Sequence, residues 1–141
     1  LGDVYKRQKV LLYDVIKDKS LAQTYVGHSK AVRDIQFTND GKHFLSSAFD
    51  NQVHYWDTEY GKVLRTFKMK KIPFCVKFHP DSEKQSSFLV GSSSKKIVQF
   101  DLNEGKKTLS YEQHLGTVNT ITFIENNKFV TSSDDKKLFV W

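Results

Sequence analysis

Residues 27–57 read GHSKAVRDIQFTNDGKHFLSSAFDNQVHYWD. The stretch opens on a Gly-His pair, carries three short apolar runs separated by turn-forming residues, and closes on Trp56-Asp57. The rest of the 141 residues repeats it, completely or in part. Equivalent run ends fall at Tyr13-Asp14, Trp56-Asp57, Phe100-Asp101 and Trp141, in steps of 43, 44 and 41 residues. Self-similarity at this spacing marks a chain built from stacked supersecondary units.

Each unit holds the same pieces. A first run covers residues 32–37, 74–78 and 118–123; a second covers 44–46, 88–90 and 129–131; a third covers 53–56, 97–100 and 138–141. A fourth run, 63–67 and 108–111, leads to the next unit, and residues 21–25 play that part for the first one. Turn formers lie between them, as in Thr38-Asn39-Asp40-Gly41, His79-Pro80-Asp81-Ser82 and Glu125-Asn126-Asn127. Runs this short, interrupted this often, cannot sustain a 3.6-residue helical period. The expectation is an all-β chain of four-stranded antiparallel blades, about three blades of a propeller. Residues 9–26 would be the last strands of a partial blade, 27–68 a complete blade, 69–112 a degenerate one, and 113–141 a blade stopping after its third strand. The leader, residues 1–8, matches neither the repeat nor a signal peptide and is read as non-native or non-repeat. Unpaired edges would make an isolated piece of this kind prone to aggregate.

Composition agrees with a globular β chain: 38% hydrophobic and 13% aromatic, the aromatic share mostly Phe and Tyr, which suit half-buried strand faces. No apolar run approaches the length of a membrane-spanning helix, so no membrane partner is expected. The single cysteine, Cys75, has no disulfide partner and no Asn-x-Ser/Thr site occurs, which points to an intracellular setting. An excess of 22 Lys and Arg over 16 Asp and Glu gives a net charge of +6 and favours acidic surroundings.

Gly27-His28, an Asp six residues before a Trp, and Trp56-Asp57 together resemble the WD-repeat family, and the likeness runs from about Lys9 to Trp141. The family's fold is a β-propeller, here implied to have seven blades. Its repeats carry a buried hydrogen-bonded chain of His, Ser/Thr, Asp and Trp; the matching positions are His28, Ser46, Asp50 and Trp56, and again His114, Thr131, Asp135 and Trp141. His28, Ser46 and Asp50 also have the parts of a nucleophile relay, so a hydrolase is the remote alternative. Duplication of the set, with Thr at the nucleophile position, argues for a structural role and against an enzyme.

The middle unit departs at all four places, with Met69, Val90, Ser94 and Phe100 where His, Ser/Thr, Asp and Trp belong. Replacing hydrogen-bonding partners together by apolar groups is close to neutral, whereas losing one alone is not. This blade is therefore expected to be held by Phe78, Phe88 and Phe100, with Ser94 reaching water. Cys75, at the place of Asp34 and Thr120, reads as an ordinary buried thiol. The 5 histidines lack metal-ligand spacing and no phosphate-binding glycine loop occurs, so no catalytic residue, metal, cofactor or small-molecule substrate is expected.

In a propeller the turns joining second to third strands, and the connections between blades, emerge at one end. Lys30, Lys68, Lys70, Lys71, Lys95, Lys96, Lys136 and Lys137 fall there and form a candidate interaction face. The opposite end collects mixed charge, such as Asp40, Lys42, Glu59, Lys62, Glu104 and Lys106. A lysine-rich face suits acidic protein surfaces or an RNA phosphate backbone. The strings GHSKAVRDI (27–35), IPFCVKFHPD (72–81), KKIVQFD (95–101) and HLGTVNTITF (114–123) resemble, more narrowly, nuclear WD-repeat splicing factors. That resemblance implies a nuclear, non-enzymatic scaffold of pre-mRNA splicing, a spliceosome component around the second catalytic step, with spliceosomal proteins and RNA as partners. Other WD-repeat adaptors, such as substrate receptors of ubiquitin ligases or ribosome-biogenesis scaffolds, are the alternative.

Overall fold

The computed structural model describes residues 8–16, 18 and 20–141. The expected leader, save Gln8, therefore lies outside the described residues. Among the described residues thirteen strands run in order: β1 (Lys9–Tyr13), β2 (Leu21–Val26), β3 (Val32–Phe37), β4 (His43–Ala48), β5 (Gln52–Asp57), β6 (Val63–Lys68), β7 (Pro73–Phe78), β8 (Ser87–Ser92), β9 (Ile97–Asp101), β10 (Lys106–Tyr111), β11 (Val118–Glu125), β12 (Lys128–Ser133) and β13 (Leu138–Val140). The 3-10 turn Ser82–Lys84 lies between β7 and β8, the Glu83 N–H donating to the capping Asp81 side chain. Among the described residues no helix is long and apolar enough to cross a membrane.

The strands form four antiparallel meanders: β1-β2, β3-β4-β5-β6, β7-β8-β9-β10 and β11-β12-β13. These are successive blades of a propeller. Register is equivalent between them, Phe44 facing Trp56 as Phe88 faces Phe100, while Phe129 exchanges both backbone hydrogen bonds with Trp141.

Burial explains why the second strand of each blade reads as a nearly unbroken apolar or small-residue run. Side chains alternate across a strand, and here both faces are covered by neighbouring blades. On β4, Phe44 packs with Val10, Tyr25 and Trp56 toward the preceding blade, while Leu45 joins Val53, Phe67, Val76, Phe78 and Phe88 toward the following one. On β8, Phe88 and Val90 face back into that same core, and Leu89 faces forward with Cys75, Ile97, Val118, Ile121 and Phe129. The cores therefore lie between blades. The innermost strand β3 is half-exposed and the outermost β6 mostly exposed, as their positions require.

Adjacent blades are also joined by polar contacts. Asp34 and Gln36 on β3 accept hydrogen bonds from the Val76 and Phe78 N–H groups of β7, at 3.0 and 2.7 Å. Cys75 takes the place of Asp34 in the next blade; its thiol donates to the Val118 carbonyl of β11 at 3.9 Å and packs against Gly91, where an added Cβ would lie 2.6 Å from the sulfur. Glycine is required there by the close approach of β7 and β11.

Candidate functional site

His28, Ser46, Asp50 and Trp56 arrive from the connection after β2, from β4, from the β4-β5 turn and from β5. The Trp56 indole N–H donates to Ser46 Oγ at 2.8 Å, Ser46 Oγ lies 2.6 Å from His28 Nε2, and His28 Nδ1 lies 2.9 Å from Asp50 Oδ2. An ionised carboxylate only accepts, so Nδ1 carries the imidazole proton and Nε2 accepts from the Ser46 hydroxyl. Asp50 also accepts from the N–H groups of Ser29 and Gln52. Gly27 precedes the histidine because a Cβ there would stand 2.8 Å from the Trp56 ring.

The second set repeats the geometry. Trp141 donates to Thr131 Oγ1 at 2.9 Å, and His114 spans Thr131 at 2.7 Å and Asp135 at 2.9 Å. Burial opposes ionisation of Asp135, but hydrogen bonds from the Leu115 N–H, the His114 ring and the Lys137 N–H outweigh it and hold the carboxyl down at about 2.

The distances of the first set would serve a hydrolytic relay equally well. Ser46, however, is fully buried and its oxygen already accepts from Trp56. A nucleophile must reach its substrate, so the hydrolase reading fails on access.

In the middle blade Met69 packs against the core that holds Val90, Phe88 and Phe100. The Phe88 and Phe100 rings stack at 5.5 Å and 17°, close to the stacking of Phe44 on Trp56 at 5.8 Å and 9° and of Phe129 on Trp141 at 6.1 Å and 17°. The stack survives where the hydrogen-bonded chain does not. Ser94 does not simply reach water as expected; its hydroxyl pairs with buried Ser92 at 2.6 Å, because the missing carboxylate leaves a neighbouring hydroxyl as its partner. Burial pushes the Cys75 thiol up to about 12, so it is not a reactive nucleophile.

Sequence spacing concealed His54. Its ring lies 4.1 Å from that of His28, its Nε2 bonds the Gln52 side chain at 2.8 Å, and its buried Nδ1 has no partner. Burial, reinforced by the neighbouring His28, lowers its pKa to about 4, with Asp50 opposing. Ligand atoms of His28, Asp50 and His54 fall within 4.8 Å of one another. Both His28 nitrogens are committed to the hydrogen-bonded chain, so a metal would have to break it. The signal available beforehand was the period of two from Trp56, which places residue 54 on the same buried strand face.

The connections at the lysine-bearing end are bonded to one another: Phe49 N–H to Ala31 C=O, Met69 N–H to Asn51 C=O, Ser93 N–H to Ile72 C=O and Asp134 N–H to Thr117 C=O. Asn51, Lys95 and Lys136 occupy equivalent turn positions and adopt positive φ of 63°, 69° and 67°. Lys30, Lys70 and Lys71 line one cleft, Lys68 is exposed at the end of β6, and Lys95, Lys136 and Lys137 are exposed on the neighbouring turns. Lys96 differs: it is half-buried and its ammonium pairs with Glu112 at 2.7 Å. It leaves the set of free cations because the strand register brings that carboxylate alongside it.

Blades of this geometry define a WD-repeat protein, and the chain belongs to that family: the model described as "WD domain, G-beta repeat" matches residues 19–57 and 105–141. The unmatched interval contains the blade without the hydrogen-bonded chain. Among curated proteins the chain is 50% identical over 134 residues to Pre-mRNA-processing factor 17 of Mus musculus and 49% identical to that of Homo sapiens, in each case across 94% of the chain. It is 32% identical over 136 residues to the protein of that name in Saccharomyces cerevisiae. The chain spans 23% of the length of the mouse and human relatives and 30% of the yeast one.

Proposed function

We propose that the protein is a nuclear, non-enzymatic WD-repeat scaffold of pre-mRNA splicing that acts in the spliceosome around the second catalytic step. The observation that carries this reading is identity near one half to relatives named for pre-mRNA processing, sustained over 134 residues and so through the degenerate blade. A shared generic repeat would favour the two blades with the hydrogen-bonded chain instead. In this reading both His-Ser/Thr-Asp-Trp chains are structural clamps, and the lysine-rich end is the contact surface for acidic protein segments and RNA phosphates. Rigid blades present loops whose side chains are free to bind.

The test is depletion of the full-length protein from nuclear extract, followed by splicing of a labelled transcript. Accumulation of lariat intermediate and free first exon is expected, and add-back of the protein restores product. Unchanged splicing, or accumulation of unspliced transcript alone, would overturn the reading.

A further inference from the structure

The turn between β4 and β5 carries an aromatic ring that the fold does not require. The equivalent positions of the next two blades are Ser93 and Asp134, whereas this one is Phe49, 38% exposed. Its N–H is pinned to the Ala31 carbonyl at 3.0 Å, and its ring sits edge-on to Phe74 at 6.1 Å. The Arg33 guanidinium lies over the Phe74 ring, 5.2 Å from its centre. Beside Phe49 opens a cleft of about 530 Å³ lined by Lys30, Lys70, Lys71, Ile72 and Asp50 among others. All three lysines are exposed, while the Asp50 side chain is only 4% exposed and is occupied by His28, Ser29 and Gln52.

We propose that this cleft binds a short single-stranded RNA segment, one base stacking on Phe49 while adjacent phosphates meet Lys30, Lys70 and Lys71. The inference rests on the lysine-rich end being a contact surface, as proposed above, and assigns its ligand and the residues that hold it. One exposed ring flanked by cations is the pattern of sequence-tolerant single-strand binding, where every base offers a π-face and every link a charge. A protein partner would need an apolar anchor in a desolvated centre. Here Phe49 and Ile72 are the apolar lining and the remainder is polar or charged. An acidic peptide could use the lysines but would gain little from the ring.

The test measures binding of a fluorescein-labelled uridine decamer to the full-length protein between 50 and 200 mM salt. Loss of one base stack predicts about tenfold weaker binding for Phe49→Ala, with Phe49→Trp retaining affinity. The Lys70→Glu/Lys71→Glu pair lowers the slope of log affinity against log salt by about 1.4, from about 0.7 per phosphate contact. Both changes are on the surface, and an unchanged melting temperature verifies folding. Binding by Phe49→Ala within twofold of the parent would overturn the proposal, as would equal competition by a ten-residue glutamate peptide that is indifferent to Phe49. These outcomes are independent of the depletion experiment, so failure of the cleft and failure of the splicing role are distinguished.

Discussion

A buried histidine can be a catalyst, a ligand or a link, and His28 is told apart by what its two nitrogens already hold. With Asp50 on one and Ser46 on the other, every polar atom of the chain from Trp56 to Asp50 has a partner. Removing the acceptor at its end leaves the buried His28 ring N–H unsatisfied, at a cost of about 1–3 kcal/mol, and also removes the bonds that the Ser29 and Gln52 N–H groups donate. Asp50→Ala is expected to destabilise the full-length protein by at least about 2 kcal/mol, and Ser94→Ala by less, as compared in urea unfolding midpoints. His54 supplies a pH dependence. Its folded pKa of about 4 lies below the ordinary histidine value, so the unfolded chain binds a proton that the folded chain refuses. The stability this group contributes is complete above its unfolded pKa of about 6.5, and is lost as pH falls toward 4. His54→Phe, which copies Phe139 at the matching position, should flatten that slope of unfolding midpoint against pH; an unaltered slope would assign it to another group.

Among the elements, β8 and β9 show how a blade dispenses with the hydrogen-bonded chain. Phe100 keeps the stack on Phe88 and removes the indole N–H, while Val90 removes the hydroxyl that would have received it. The two changes are coupled, and the coupling is measurable. Phe100→Trp alone buries a donor beside Val90 and is expected to cost about 1–3 kcal/mol. Adding Val90→Thr should recover part of that cost, giving a favourable coupling of about 1 kcal/mol in a double-mutant cycle. Additive effects would mean that the indole finds another acceptor. At the junctions between blades, Asp34 and Gln36 accept from β7 backbone N–H groups, whereas Cys75 fills space beside Gly91 and its thiol donates to the Val118 carbonyl of β11.

For the whole molecule, charge is what separates one end from the other. Reversing Lys70, Lys71, Lys95, Lys136 and Lys137 to Glu should reduce recovery of spliceosomal RNA with the full-length protein, and the deficit should be largest at about 50 mM salt and narrow toward about 150 mM, as the parent's contacts are screened. Reversing Lys42, Lys62 and Lys106 at the opposite end should have little effect. Equal losses from the two sets would indicate a dependence on net charge alone. Single surface substitutions usually change stability by no more than about 0.5 kcal/mol, so melting temperature serves as the control for each set.

The blade pattern was legible because its information is local: an apolar run, a turn former and a terminal aromatic recur every 41 to 44 residues, and strand register follows from that order. The members of both hydrogen-bonded chains were legible through the resemblance to WD repeats, which matched a His, a Ser or Thr and an Asp to each Trp. Tertiary structure decided what depends on separate units meeting. It committed both His28 nitrogens and buried Ser46, which excluded a nucleophile; it drew Lys96 to Glu112; it set His54 against His28; and it placed Phe49 of one blade beside Phe74 of the next, amid the lysines. Within one blade a strand's alternation shows only that a residue faces one side or the other. Which partner, charge or ring waits there depends on how neighbouring strands and blades pack.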